Sequence, residues 1–212
     1  MAKQKIVSFL KEVINNIPYD WLKLTTHRLD IYDESQAKVQ FLDLFDGLYT
    51  KGTVTEQELS QLPTAYDYIR LGHPLSSVLE WALANEYNLP AGHVISFSSK
   101  SIPVLAILRK NLFANKKTQI LHTGDSSTLF DAEKVKNVYG YNFELKQVES
   151  GADITNFDGS TVFVTETEAI ADFDLSINAD FIVNIKDGLG SIVLVKGADE
   201  ENYVKEIQHV RR

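Results

Sequence analysis

A group of serines with one lysine stands between a short apolar run and a helical pattern. The stretch is SFSSKSIP, residues 96–103. Hydroxyls and free backbone N–H groups at the start of a helix lie at the positive end of its dipole, an arrangement that binds phosphate. Ser99 and Ser101 would supply hydroxyls, and Lys100 a positive charge. The same serines also suit a simple helix cap, so both interpretations stay open.

A second group that could bind an anion is YDYIRLGHP, residues 66–74. The Arg70 guanidinium could hold a carboxylate or a phosphate through two parallel hydrogen bonds. Tyr68 could share the same anion. The alternative is a loop before a helix that begins with proline, with Arg70 in solvent.

Lys186 is the third candidate, in the sequence KDGLG. A lysine at the end of a sheet can form a Schiff base if it is desolvated, although a lysine in a turn is usually solvated. The histidines show no metal-ligand spacing, so no metal is expected. The GLG of residues 188–190 lacks the rest of a dinucleotide fingerprint and is better explained by a hairpin.

Composition excludes several classes of function. The chain has 21 basic and 29 acidic residues, a net charge of −8, and its basic residues are scattered, which argues against a nucleic-acid partner. It has no cysteine, so disulfides and thiolate chemistry are absent. We expect no membrane insertion, because no window is long and apolar enough. The N-terminus has an amphipathic rather than a signal-peptide pattern, so a cytoplasmic location is expected.

The pattern of apolar residues predicts two segments. Residues 1–65 show helical spacing, and we expect these helices to pack on the main domain or on a partner subunit. From residue 66 to 212 helices and strands alternate, which predicts an α/β domain. Predicted strands cover 94–97, 119–122, 142–148, 161–166, 179–185 and 191–197, and predicted helices cover 75–87, 102–114, 127–139 and 200–212.

The order of these elements predicts a mostly parallel sheet. The first three strands, with their two crossover helices, are typical of a parallel βαβαβ unit. The last two are separated by Asp-Gly and a second glycine, so we expect them to form an antiparallel pair at an edge of the sheet. The predicted fold class is therefore α/β, as a three-layer α/β/α sandwich with a helical N-terminal prefix.

The three candidate groups occur in the order found in one enzyme family. YIRLGHPLSSVLEWALA, SFSSKSIPVLAIL and TVFVTETEA resemble motifs in the large domain of the cystathionine γ-synthase and β-lyase family, pyridoxal-phosphate enzymes of cysteine and methionine metabolism. The final stretch, from ADFIVNIKDGLG onward, resembles the region around the family's catalytic lysine. The resemblance covers residues 66–212 and implies the aspartate-aminotransferase type of fold.

The resemblance implies roles for the candidate residues. Ser99, Lys100 and Ser101 fall where backbone amides hold the cofactor phosphate. Tyr68 and Arg70 fall where a neighbouring subunit adds to that grip, so the resemblance implies a homodimer. Lys186 is the nearest counterpart of the lysine that forms the Schiff base, and pyridoxal phosphate is the implied cofactor.

The sequence also departs from the family pattern. Lys100 replaces the glycine of the phosphate turn, and a side chain there restricts close approach of the backbone. No counterpart of the ring-stacking aromatic residue occurs in 124–128. Between Glu166 and Ala179 there is no room for the strand that carries the aspartate of the pyridine nitrogen, and the Ser-x-Thr before the lysine is missing. The chain also stops where the family's C-terminal domain would begin.

Two functions follow as hypotheses. The departures favour a catalytically degenerate domain that does not retain the cofactor and acts as an anion-binding or protein-interaction module. The alternative is an active pyridoxal-phosphate-dependent C–S lyase or transferase of sulfur amino acids, with Lys186 as its catalytic residue. A nucleotide-binding domain would need a glycine-rich phosphate loop, which the sequence lacks.

Overall fold

The helical part of the chain lies in the first of two compact units, residues 1–92 and 93–210. The computed structural model describes residues 2–22, 34–65, 73–125, 129–167, 173–186, 188–196, 203–205 and 207. In the first unit the described helices are α1 (Ala2–Asn15), α2 (Glu34–Lys51), α3 (Glu56–Ser60) and α4 (Pro74–Tyr87), with a 3₁₀ turn at Tyr19–Leu22.

An aromatic core holds the helical unit together. Phe9, Phe45 and Trp81 pack with ring centroids 5.0–5.8 Å apart, and all three are buried. The ion pair between Lys38 of α2 and Glu80 of α4 lies within this unit, with an Nζ–Oε2 distance of 2.6 Å. Burial of the apolar faces at helical spacing explains why the sequence folds here as helices.

The second unit is built on one sheet. Its described strands are β1 (Val94–Phe97), β2 (Thr118–His122), β3 (Phe143–Gln147), β4 (Ser160–Glu166), β5 (Phe181–Lys186) and β6 (Gly190–Val195). The strand order is β1-β6-β5-β4-β2-β3. Only β6 runs against the others. The predicted α/β class with a mostly parallel sheet is therefore confirmed.

Two helices pack against one face of the sheet. They are α5 (Ile102–Phe113) and α6 (Ala132–Tyr139), and their apolar residues share a core with alternate residues of the strands, such as Val162, Val183 and Val193. Tyr203 and Ile207 belong to the same core, and residues 203–205 and 207 are helical. The parallel strands β2, β4 and β5 are almost entirely buried, although β2 (TQILH) carries three polar residues.

Several element boundaries and one position in the sheet differ from the prediction. The predicted helix 127–139 begins only at Ala132, because the Asp131 carboxylate accepts the Lys134 N–H and caps it there. β5 and β6 are antiparallel as predicted, but their place at an edge was wrong. β1 pairs with the free side of β6, so β1 is not next to β2, and among the described strands β1 and β3 are the edges.

The packing of residues 1–65 on the α/β domain stays a prediction. So does a helix over all of 200–212, most of which lies outside the described residues. None of the described helices combines the length and the apolar character that crossing a membrane requires.

Candidate functional site

The turn between β1 and α5 is a helix cap. The hydroxyl of Ser99 accepts the backbone N–H groups of Ser101 and Ile102, each at 3.3 Å. Ser101 lies at the N-cap position by its backbone, but its side chain forms no capping bond. Pro103 lacks an N–H, so the first turn of α5 has one donor fewer than usual. The Ser99 oxygen thus occupies donors that an anion would use.

Two residues of β6 fix the position of this turn. The Ser191 hydroxyl donates to the Ser99 carbonyl oxygen at 2.6 Å. A Cβ at Gly190 would lie 2.0 Å from the Phe97 carbonyl oxygen and 2.8 Å from the Ser98 carbonyl carbon. Gly190 also has a φ of +109°, which L side chains rarely adopt. Only glycine lets β6 begin directly against the Phe97–Ser98 backbone.

Lys186 is the last residue of β5. It lies at the end of the sheet where β1 also finishes and the Ser99 turn begins. Gly190 is its partner in the register, and Ser191 lies between Phe97 of β1 and Ile185 of β5. The Ser99 turn and Lys186 therefore lie on the two sides of the start of β6. The Lys186 ammonium is half-buried and donates to the Thr167 carbonyl oxygen at 3.5 Å.

Asn184 is a buried polar residue on the same side of β5 as Lys186, since side chains two apart on a strand share a face. Its side chain is 1% exposed, and its Nδ2 donates to the Thr167 hydroxyl at 2.6 Å. Its Oδ1 is buried without a hydrogen-bond donor. An unmet buried acceptor costs about 1–3 kcal/mol, so this amide oxygen lowers the stability of β5 unless a donor reaches it.

A second set of polar side chains lies at the same end of the sheet, where β2 and β4 finish. The His122 Nδ1 donates to the Gly124 carbonyl oxygen at 2.7 Å. The Glu166 carboxyl carbon would lie 3.5 Å from a Cβ at Gly124. The recess lined by these residues has a volume of about 10 Å³, which is room for about one water molecule.

The structure brings some of the sequence-predicted residues together. The end of the sheet where the parallel strands finish carries Ser99, Lys100, Ser101 and Lys186. Tyr68 and Arg70 lie outside the described residues. Lys100 is half-buried at the turn.

Three residues of this site were missed from the sequence. A glycine after Asp-Gly is fully explained by a hairpin, so nothing local marks Gly190 as the contact of a distant turn. The signal for Ser191 was a hydroxyl at the start of an apolar strand. Asn184 interrupts the apolar run FIVNI, and an amide in a buried strand is the one pattern that would have identified it.

β4 and β5 are hydrogen-bonded to each other directly. No strand lies between them in the sheet. Across the described residues no group of three histidine, aspartate or glutamate side chains is arranged to hold a metal ion.

No protein-family model and no curated protein matches the chain. Similar solved structures include metB from Corynebacterium glutamicum, with 16% identity over 69% of this chain and 49% of that one, and a TM-score of 0.36. Apo CalE6, a methionine γ-lyase from Micromonospora echinospora, has 16% identity over 68% of this chain and 50% of that one, with a TM-score of 0.38.

A third similar structure is cystathionine γ-synthase from Xanthomonas oryzae pv. oryzae in complex with aminoacrylate and cysteine. It has 15% identity over 85% of this chain and 59% of that chain, with a TM-score of 0.41. The chain thus spans about half to three fifths of the length of these enzymes. Similarity this low does not identify what the chain does.

Proposed function

We propose that this chain is an anion-binding α/β domain related to the pyridoxal-phosphate enzymes of cysteine and methionine metabolism, and that it does not sustain their catalysis. The anion binds at the Ser99–Lys100–Ser101 turn. The observation that carries the proposal is the fixing of this turn on β6 by Ser191 and Gly190, because a preorganised helix N-terminus loses little entropy when an anion arrives.

The present bonds of the turn are weak enough for an anion to replace them. The two N–H bonds to Ser99 are 3.3 Å long, beyond the usual range for N–H···O bonds. A phosphate oxygen is a charged acceptor and binds N–H groups more strongly than a hydroxyl does. Rotation of the Ser99 side chain would free both donors, and Lys100 would add a positive charge.

The residues at this edge match only part of what pyridoxal phosphate needs. The turn and Lys186 would suit its phosphate and its aldehyde, and the cofactor would supply an electron sink. The strand that carries the carboxylate for the ring nitrogen in the resembled family has no counterpart between β4 and β5, which pair directly. The acceptor that β5 does offer is the neutral amide of Asn184. This combination favours anion binding without catalysis.

A titration with inorganic phosphate, followed by amide NMR, tests the proposal. We expect shifts at Ser99, Ser101 and Ile102 with millimolar affinity, and none in β3, the edge strand farthest from β1. Lys100→Glu should abolish the shifts, because it places a negative charge at the site. Lys134→Glu makes the same charge change at an exposed residue of α6 and should leave them intact.

Ser99→Ala separates capping from anion binding. The loss of the cap should lower the free energy of unfolding by about 1 kcal/mol. Phosphate should restore part of that stability, because the Ser101 and Ile102 N–H groups are then without their acceptor. Unchanged spectra in phosphate for both the wild type and Ser99→Ala would show that the turn is only a cap.

An active pyridoxal-phosphate lyase or transferase is the second candidate. It is favoured by Lys186, which is half-buried as the last residue of β5, at the same end of the sheet as the Ser99 turn. The test adds pyridoxal phosphate to the purified chain. A visible absorption band that borohydride removes and Lys186→Ala prevents, together with turnover of cystathionine or methionine, would replace the first proposal by this one.

A further inference from the structure

A groove opens at the opposite end of the strands from the Ser99 turn. It lies where β4 and β5 begin, at Thr161 and Asp180, and where β6 has just ended, at Lys196. Its volume is about 370 Å³, within the range of small-molecule sites. None of the candidate residues of the proposed anion site lines it.

Two glycines leave room for the apolar side chains that form the walls of the groove. A Cβ at Gly159 would lie 2.5 Å from Cε1 of the Phe157 ring, and a Cβ at Gly151 would lie 2.4 Å from Cδ1 of Ile177. Any larger residue would displace these two side chains. The groove is therefore shaped by the sequence, since both wall side chains pack on positions without a side chain.

The polar lining is hydrogen-bonded in place. The Asn178 Nδ2 donates to the Asn156 Oδ1 at 2.9 Å, which links two loops at the groove. The Asp180 Oδ2 accepts the Thr161 N–H at 2.7 Å. The two amides keep further donor and acceptor capacity, which suits a ligand with hydroxyl groups.

Lys196 has a defined orientation in this groove. Its Nζ donates to the carbonyl oxygens of Leu175 and Ile177, the latter at 2.9 Å. A neutral amine has two N–H bonds and one lone pair. With both N–H bonds directed at carbonyls, tetrahedral geometry turns the lone pair away from them.

Two aspartates lie near Lys196. Asp174 is in the loop before β5, and Asp180 directly precedes β5. Burial lowers the pKa of the Lys196 ammonium, and the nearby charge of Asp174 offsets only part of that effect. Each unit by which a lysine pKa falls increases its free amine at neutral pH about tenfold.

We propose that this groove is a second site, in which Lys196 captures a small hydroxyaldehyde as an imine while the Asn156–Asn178 amide pair binds its hydroxyls. The lone pair of Lys196 attacks the aldehyde carbon and forms the C–N bond. The carbonyl oxygen leaves as water with the two amine hydrogens, and a C=N bond remains. The step needs no oxidant or reductant.

Reductive labelling of the full chain tests this inference. Glycolaldehyde and cyanoborohydride are added at pH 7, and labelled lysines are quantified by peptide mass mapping over time. Lys146 serves as the internal reference, because it is exposed on β3. We expect Lys196 to be labelled at least about threefold faster than Lys146. An equal or slower rate at Lys196 would overturn the proposal.

Two variants distinguish a binding site from a merely reactive or structural lysine. Asn178→Ala should slow the labelling of Lys196 severalfold and leave that of Lys146 unchanged; an unchanged Lys196 rate would contradict recognition by the amide pair. Lys196→Arg keeps donors for both carbonyls and should fold normally, but it should lose the fast label. Labelling is resolved by peptide, so the result is independent of the outcome at the Ser99 turn and Lys186.

Discussion

Gly190 is the residue on which the geometry of the candidate site depends most. We expect Gly190→Ala to lower the free energy of unfolding by at least about 2 kcal/mol, because a left-handed backbone alone costs an L residue about 1–2 kcal/mol and the added Cβ would overlap the Phe97 carbonyl. Chemical denaturation measures the loss.

Gly188→Ala is the matched control in the same hairpin. Gly188 has a φ of +73°, and a Cβ there meets nothing within 4 Å, so only the backbone strain should remain. Equal losses for the two variants would contradict the close approach of β6 to the Phe97–Ser98 backbone.

The helix N-terminus at Ser99, Lys100 and Ser101 was predictable, but its contacts were not. The type and order of Ser99, Lys100 and Ser101 before a helical stripe indicate a helix N-terminus from sequence alone. The bond from Ser191 joins residues 92 positions apart, and no local pattern encodes a contact at that distance. Which of two serines forms the cap also depends on side-chain rotation, which spacing does not determine.

A buried ion pair links two helices of the first unit, between Lys38 of α2 and Glu80 of α4. Lys38→Met should lower the free energy of unfolding by about 3–5 kcal/mol, because it removes the ammonium that pairs with the buried Glu80 carboxylate. The double variant Lys38→Met with Glu80→Leu should recover most of that loss. Urea denaturation of the three proteins measures it; a double variant as unstable as the single one would show that packing, not charge, dominates.

The start of α3 carries a capping box that responds to pH. Bonds from Lys51 and Thr55 hold the pKa of Glu58 below the ordinary 4.5. The unfolded chain therefore binds the proton more readily, so this contribution to stability is present above pH 4.5 and is lost as the pH falls through the folded pKa.

Thermal unfolding of Glu58→Gln at pH 7 and pH 3 tests that direction. The difference in stability from the wild type should be larger at pH 7 than at pH 3. Glu56→Gln, in the same first turn, is the control and should show a weaker dependence on pH. A difference that grows on acidification would contradict the assignment.

The elements were predicted well because their apolar periodicity is strong. All six strands were anticipated within about two residues of their ends, and the Asp-Gly hairpin was placed between the correct pair. The neighbours of each strand were less predictable, since the position of β1 beside β6 depends on two segments about a hundred residues apart. Local pattern determines that a strand forms, while its place in the sheet depends on long-range packing.

At the scale of the whole molecule, we propose a homodimer. The resemblance that suggests it assigns Tyr68 and Arg70 to a neighbouring subunit, and a two-fold interface would be self-complementary. Light scattering at micromolar concentration should give twice the chain mass of 23.9 kDa. A monomer mass would remove the role of Arg70 across subunits.

The place of β1 in the sheet has a consequence for biosynthesis. Its one hydrogen-bonded neighbour among the described strands is β6, whose residues leave the ribosome about a hundred positions later. Closing a loop of that length must precede the pairing, and such long-range contacts form late. While the chain is being translated, β2, β3 and β4 can associate early, whereas the Ser99 turn stays without its supports. The candidate anion site is therefore among the last parts of the α/β unit to be completed on the nascent chain.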